Sequence, residues 1–278
     1  MEPIADTAPD AGALIRQWRT RRRLSQLALA FEADISQRHL SFVESGRSVP
    51  SRDMVLHLAE RLEIPLRERN RILLAAGYAP AFSERRLDDP SLDAAMRAVE
   101  LVLKGHEPNP ALAVDRHWNL VKANAALAPL LDGVADAALL EPPVNVLRLS
   151  LHPKGLAPRI VNLSEWRDHL LERLRKLNDT IGDAGLVALE EELKAYPAPH
   201  RTAPPRKRAD GALVAVPLKI RTGAETLSFI STITVFGTPL DVSLSELAVE
   251  SFFAADERTG EVLRAMAAQR AAQGSTAQ

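Results

Sequence analysis

Residues 25–51 read Ser-Gln-Leu-Ala-Leu-Ala-Phe-Glu-Ala-Asp-Ile-Ser-Gln-Arg-His-Leu-Ser-Phe-Val-Glu-Ser-Gly-Arg-Ser-Val-Pro-Ser, and their pattern decides the fold of the N-terminal quarter. Ser25-Gln26 opens a helix that carries Leu29 and Ala30 on its buried side. A tight turn follows at Asp34. A second helix begins at Ser36 and buries Leu40 and Val43, three residues apart. Its outward positions are Ser36, Gln37, Arg38, Ser41 and Phe42. Most of these are residue types that hydrogen-bond to base edges in a major groove. The stretch predicts a helix-turn-helix reader of double-stranded DNA. A plain helical bundle has no need of Gln, Arg and Ser gathered on one exposed helix face.

The flanking sequence completes a bundle. A first helix is expected from Gly12 to Arg22, with Leu14, Ile15 and Trp18 on one face. Pro50-Ser51 starts a fourth, which carries Met54, Val55, Leu58, Ala59 and Leu62 at helical spacing. Pro65 opens a fifth, and Gly77 stops it. Within this frame Arg19 can pair with Glu44 across the bundle and fix the recognition helix. Gln26 stands at a helix N-terminus, where free N–H groups favour a phosphate. Arg47, after Gly46, and Arg52, near the start of the fourth helix, are placed for the neighbouring phosphates, and Arg21, Arg22 and Arg23 add positive field.

Composition sets the outer bounds. A chain of 278 residues favours two domains. Its net charge of -1 hides an asymmetry: residues 11–80 carry 12 Lys and Arg against 7 Asp and Glu, which leaves the remainder acidic on balance. A basic module on an acidic body suits one domain that touches phosphate and another kept off it. There are no cysteines, which excludes disulfides, thiolate zinc sites and cysteine nucleophiles. Residues 1–11 lack the basic-then-apolar order of a signal peptide, and no apolar run approaches the ~18 residues of a spanning helix. A cytoplasmic protein without membrane contact is the expectation.

Residues 12–76 resemble the lambda-repressor-like, or XRE, family of helix-turn-helix regulators. The residues that carry the resemblance are Arg19, Ser25-Gln26, Leu29-Ala30, Ser36, Glu44-Ser-Gly46 and Pro50-Ser51. It implies that Gln26 clamps the DNA backbone, that Gln37 and Arg38 read bases with Ser36 and Ser41 in support, and that Arg47 touches phosphate. Asp34 stands where that family often has glycine, and Phe42 replaces a commonly polar residue; an exposed Phe42 is expected to meet a thymine methyl. One recognition helix reads few base pairs, so a homodimer on a palindromic operator is expected.

After a disordered lead-in over residues 1–10 and the bundle at 11–80, the prolines and charges of residues 81–92 read as a linker, and residues 93–273 as a second, α+β domain. A helix is expected from Leu92 to Lys104. Ala111–Asp115 and Trp118–Ala123 read as a hairpin turning at Asp115-Arg116-His117, and Asn124 as the cap of a helix through Leu131. Helices follow over Val144–Leu151, Ser164–Asn178 with Ser164 as cap, and Leu186–Tyr196. Residues 197–211 read as a proline-rich basic loop in which Arg206-Lys207-Arg208 are expected to be solvated, with DNA or an acidic ligand group as the alternative partner. Leu213–Ile220 and Glu225–Phe236 alternate as strands, with Pro217 marking an edge. Helices over Leu244–Phe253 and Asp256–Gln269 close the chain, with a frayed end beyond.

This second part is similar to the MmyB-like regulators. Arg69–Pro80 resembles the end of their helix-turn-helix domain. Pro110-Ala-Leu-Ala-Val-Asp-Arg-His-Trp-Asn-Leu-Val-Lys-Ala-Asn124 resembles the opening of their ligand-binding domain, and Asn145–Leu149 and His152-Pro153 continue the pattern. The resemblance implies a PAS-like α+β sensor around a small-molecule pocket, with fatty-acyl molecules as one ligand class. Trp118, Trp166, Phe229 and Phe236 are the candidate wall, each weighed against ordinary core packing.

Asp115 with His117 on a turn, and Glu165 with Asp168 and His169 on one helix, could in principle meet and hold a divalent cation; Glu165 and His169 one turn apart on an exposed helix face read as solvated charge, so neither a metal nor another cofactor is expected. Two other functions are weaker fits. A DNA-targeted enzyme would need a phosphate-cradling glycine loop, a Gly-x-Ser-x-Gly elbow or a His-Glu-x-x-His helix, and none is present. A peptide sensor of helical repeats would need paired helices at a period of ~34 residues. A C-terminal domain that only dimerises is the remaining alternative. The expected whole is a non-enzymatic transcription regulator.

Overall fold

The computed structural model describes residues 10–197, 216–236 and 241–276. In chain order the elements are α1 (Ala11–Arg21), α2 (Gln26–Glu32), α3 (Gln37–Glu44), α4 (Arg52–Arg61), α5 (Leu66–Ala75), α6 (Asp93–Gly105), β1 (Ala111–Val114), β2 (Leu120–Ala123), α7 (Ala128–Leu131), α8 (Val146–Leu151), α9 (Leu163–Ile181), α10 (Ala184–Ala195), β3 (Leu218–Thr222), β4 (Glu225–Val235), α11 (Val242–Ser245), β5 (Ala248–Ala254) and α12 (Glu257–Thr276). The described residues form two compact units, one of residues 10–86 with Asp179–Ile181 and 241–245, the other of Leu87–Asn178 with 182–197, 216–236 and 246–276. Among the described residues no helix is long and apolar enough to cross a membrane.

The first unit is the expected five-helix bundle. Its helix starts are written in the sequence: Asp10, Ser25, Ser36 and Ser51 each accept a hydrogen bond from the backbone N–H three residues on, which satisfies an otherwise orphaned donor. Leu29, Leu40, Leu58 and Ile72 are fully buried in its core, each worth roughly 2 kcal/mol in transfer from water. The chain beyond α5 stays attached to it. Asn70, 7% exposed, accepts from the N–H groups of Ala81 and Phe82 at 2.9 and 3.0 Å and donates to the Phe82 carbonyl at 2.7 Å. The buried Val242 donates its N–H to the Ser83 carbonyl at 2.8 Å, so a late piece of chain returns to the first residues of the expected linker.

The second unit is built on a five-stranded antiparallel sheet ordered β2-β1-β5-β4-β3. Side chains alternate between its faces. Leu112, Phe229 and Phe252 join one core with Leu147 of α8, Leu170 of α9 and Leu186 of α10. Ala111, Ala113 and Val249 join another with Val99 and Leu103 of α6.

Several local expectations are corrected. Residues 248–254, expected within a helix over Leu244–Phe253, form β5 at the middle of the sheet. Leu244, Leu247, Ala248 and Phe252 recur at helical spacing, and Glu250 and Ser251 break the strand's alternation, so the segment imitates a helix. Asn124 caps nothing: α7 starts four residues later, and the buried amide accepts from Ala111 N–H at 3.0 Å and donates to the Leu103 and Asn109 carbonyls at 3.0 and 2.8 Å. Ser164 lies inside α9, whose flanking residue is Asn162. β3 begins after Pro217 and is an edge strand, but residues 213–215 of the expected strand lie outside the described residues, as do the basic loop from 198 onward and residues 1–9 of the lead-in. α12 runs on to Thr276 where unwinding after Gln269 was expected.

Candidate functional site

The exposed face of α3 is set by how the helix is anchored. Leu40 and Val43 are buried, while Ser36, Gln37 and Arg38 are exposed and Ser41 and Phe42 are half-buried. The turn before α3 places Asp34 at φ 51°, a left-handed conformation that a short polar side chain tolerates. Behind the helix α1 approaches very closely: a Cβ on Gly12 would lie 1.9 Å from the Val43 carbonyl oxygen. Only glycine allows that contact, and the sequence reading did not identify it.

Glu44 is the pin at the other end of α3. It is 6% exposed and accepts from Arg19 at both oxygens, at 2.6 and 2.9 Å. Arg19 also donates to the Leu24 carbonyl at 2.7 Å, and the Gln26 amide donates to Glu44 at 2.8 Å. The bond to Glu44 raises the Arg19 pKa against the opposing effect of burial. A buried carboxylate is tolerable because three donors converge on it. Gln26 is therefore committed to the protein as well, through one of its two amide hydrogens.

The outward polar groups differ in how free they are. The Ser36 hydroxyl oxygen accepts from His39 N–H at 3.1 Å, so it caps α3. Arg22, expected to add field only, donates to the carbonyls of Leu62 and Glu63, both at 2.9 Å, and closes the end of α4. Arg47 and Arg52 are exposed, the first following Gly46 at φ 70° and the second opening α4. Phe42, expected to be exposed, instead lies beneath two guanidinium groups, those of Arg38 and Arg47, at 5.3 and 5.9 Å from its centroid.

The second unit holds an apolar cavity of about 80 Å³ between the sheet and helices α8 and α9. Leu112, Leu149, Leu170, Ile220 and Phe252 are among its walls. Its polar groups are Ser150, Arg173 and Glu250. Of the four aromatic candidates the structure places only Trp166 on the wall, where its indole N–H donates to the Ser150 hydroxyl at 3.0 Å. Phe229 is core, edge-on to Phe252 at 6.1 Å. Trp118 is core beneath Arg173, whose guanidinium stands 4.3 Å from the ring centroid. Phe236 packs with the α6 cluster on the other face of the sheet. Aromatic size alone did not separate core from wall.

Arg173 and Glu250 went unrecognised in the sequence. Glu250 is 4% exposed, and the two side chains bond at 3.0 and 3.3 Å. Beside them, burial first and the Arg173 charge second push the His169 imidazole below its ordinary pKa. Glu250 was hidden inside a segment read as helix.

Of the carboxylates and histidines weighed as metal ligands, Asp115, His117 and His169 have other contacts. Asp115 staples its own turn by accepting from His117 and Asn119 N–H at 2.8 and 2.9 Å, and His117 faces Asp183 at 3.3 Å. His169 packs against Trp166 at 5.4 Å. Among the described residues no three such side chains group as a metal site.

Comparison with known proteins places this geometry. Residues 95–266 match the family described as MmyB-like transcription regulator ligand binding domain, and residues 15–69 match the family described as helix-turn-helix. No curated protein matches the chain.

Proposed function

We propose that this chain, which belongs to the MmyB-like transcription regulators and joins their ligand-binding domain to a helix-turn-helix DNA-binding domain, acts as a cytoplasmic homodimer on a palindromic operator and is controlled by an apolar, fatty-acyl-like molecule. Gln37 and Arg38 read base edges, with Ser36 and Ser41 in support. Gln26, Arg47 and Arg52 meet phosphates. Arg19 and Glu44 hold the reading helix without touching DNA. The observation that carries this reading is the exposed face of α3, where hydrogen-bonding side chains stand outward while Leu40, Val43 and Glu44 are locked inward.

The strand order β2-β1-β5-β4-β3 supports a PAS-like sensor, and the cavity supports an apolar ligand. Its size adds a requirement. At about 80 Å³ it is roughly half the ~150 Å³ of an engineered apolar cavity that admits benzene. A short aliphatic group fits as the walls stand; a long acyl chain needs α8 or α9 to part from the sheet. Such a ligand binds the widened arrangement more tightly, and that difference is the free energy available for control. The Arg173–Glu250 pair is the polar end at which a ligand headgroup can compete.

The test is DNA binding by the full chain on duplexes selected from a random library. Arg38→Ala is expected to relax base preference at one position and to cost about 1–3 kcal/mol there. Arg47→Ala is expected to weaken binding on every sequence and to lower the salt slope by about 1. Equal weakening by Arg38→Ala on all sequences removes it from the base-reading set.

A further inference from the structure

We infer that Phe42 is a positioning residue whose ring holds both the base-reading Arg38 and the phosphate-seeking Arg47, so that one side chain sets two different DNA contacts. The inference rests on the reading that α3 faces DNA, and it changes the role of Phe42 from the thymine-methyl contact suggested by sequence to a support beneath two cations.

Arg38 precedes Phe42 by one helical turn on α3, so the two side chains share a face. Arg47 arrives from outside the helix. Gly46, at φ 70°, reverses the chain after α3, and the N–H groups of Arg47 and Ser48 both donate to the Phe42 carbonyl at 2.9 and 3.1 Å. The backbone of Phe42 thus fixes the start of the Arg47 side chain, and its ring receives the guanidinium. The two guanidinium groups stand 5.3 and 5.9 Å from one centroid, within the distance at which a cation is attracted to an aromatic face.

The charge balance points outward. Among the described residues neither Arg38 nor Arg47 forms an ion pair with a carboxylate, whereas Arg19 is fully engaged with Glu44. Two unpaired cations gathered on one ring repel each other, and the negative ring face offsets part of that repulsion. An anionic or strongly accepting partner from outside, such as a phosphate or the edge of a guanine, offsets the rest. Arginines already held over the ring also lose less side-chain freedom on binding than arginines free in water. A polar residue at position 42 would give neither effect.

The experiment compares wild type, Phe42→Leu, Phe42→Tyr and Arg38→Ala as full chains on duplexes selected by the wild type, over a range of KCl, with thermal melts to confirm folding. Phe42→Leu keeps apolar bulk and removes the ring face; Phe42→Tyr keeps the face. Phe42→Leu is expected to lose about two- to fivefold in affinity for each arginine released, to lower the salt slope, and to relax preference at the same base pair that Arg38→Ala relaxes. Phe42→Tyr is expected to stay within about twofold of wild type on the same reasoning. The inference is overturned if Phe42→Leu matches wild type while Arg38→Ala relaxes base preference. It is also overturned if Phe42→Leu alters preference at a different, thymine-containing pair with the salt slope unchanged, because the ring would then read DNA itself. If Arg38→Ala leaves base preference intact, the reading of α3 fails first and the inference falls with it.

Discussion

Arg173 on α9 and Glu250 on β5 bond through both carboxylate oxygens, at 3.0 and 3.3 Å, in the wall of a mainly apolar cavity. Glu250 has a side-chain exposure of 5% and Arg173 of 19%, so removing either leaves a charge that water reaches poorly.

Glu250→Ala is expected to destabilise the protein by about 3 kcal/mol, because a buried pair costs most when only one member is lost. Replacing both residues with leucine is expected to recover much of that loss. Urea unfolding of wild type and the two variants checks it; a single substitution that costs less than the double one contradicts the assignment.

Gly12→Ala is a second sensitive change. The added methyl would meet the Val43 carbonyl at 1.9 Å, and neither backbone can yield without moving α1 from α3. A loss of about 3 kcal/mol is expected, as for an overpacked core. Denaturant midpoints measure it, and a variant as stable as wild type means that the helices are farther apart.

Asp183 gives a pH dependence. Burial works to raise its pKa, but the Arg116 charge, the Gly185 N–H and His117 together outweigh burial and hold it below the ordinary carboxylate value. A group whose folded pKa is depressed adds stability that is complete above its unfolded pKa, about 3.9, and is lost as pH falls through the folded value. Asp183→Asn keeps a side chain able to cap α10 and removes the charge. The gap in melting temperature between wild type and this variant is expected to be steady near pH 6–7 and to shrink below about pH 4. A gap that widens on acidification has the wrong sign for this assignment.

Much of the first unit was legible because its signals are local. Ser25, Ser36 and Ser51 each cap a helix within three residues, and the apolar periods of α1 to α5 repeat at 3.6. The Arg19–Glu44 contact spans 25 residues yet follows from where two helices must cross. The second unit depends on contacts that no short window holds. β5 pairs with β1 and β4, more than 100 residues and about 20 residues away in the chain, and its order Ala-Val-Glu-Ser-Phe-Phe-Ala lacks a strand's alternation. Once β5 was read as helix, Glu250 and Phe252 could not be placed at a cavity. Asn124 shows the same limit: an asparagine before a helix reads as a cap, and only the approach of Leu103 and Ala111 shows that its amide serves them.

The measurement that bears most directly on ligand control is fluorescence anisotropy of the full chain on its selected duplex, titrated with saturated fatty acids from octanoate to palmitate while native mass spectrometry reports occupancy. The account predicts that occupied protein differs from empty protein in duplex affinity by about 5- to 150-fold, the usual range of coupling between two sites. Identical duplex affinity for empty and fully occupied protein would contradict it.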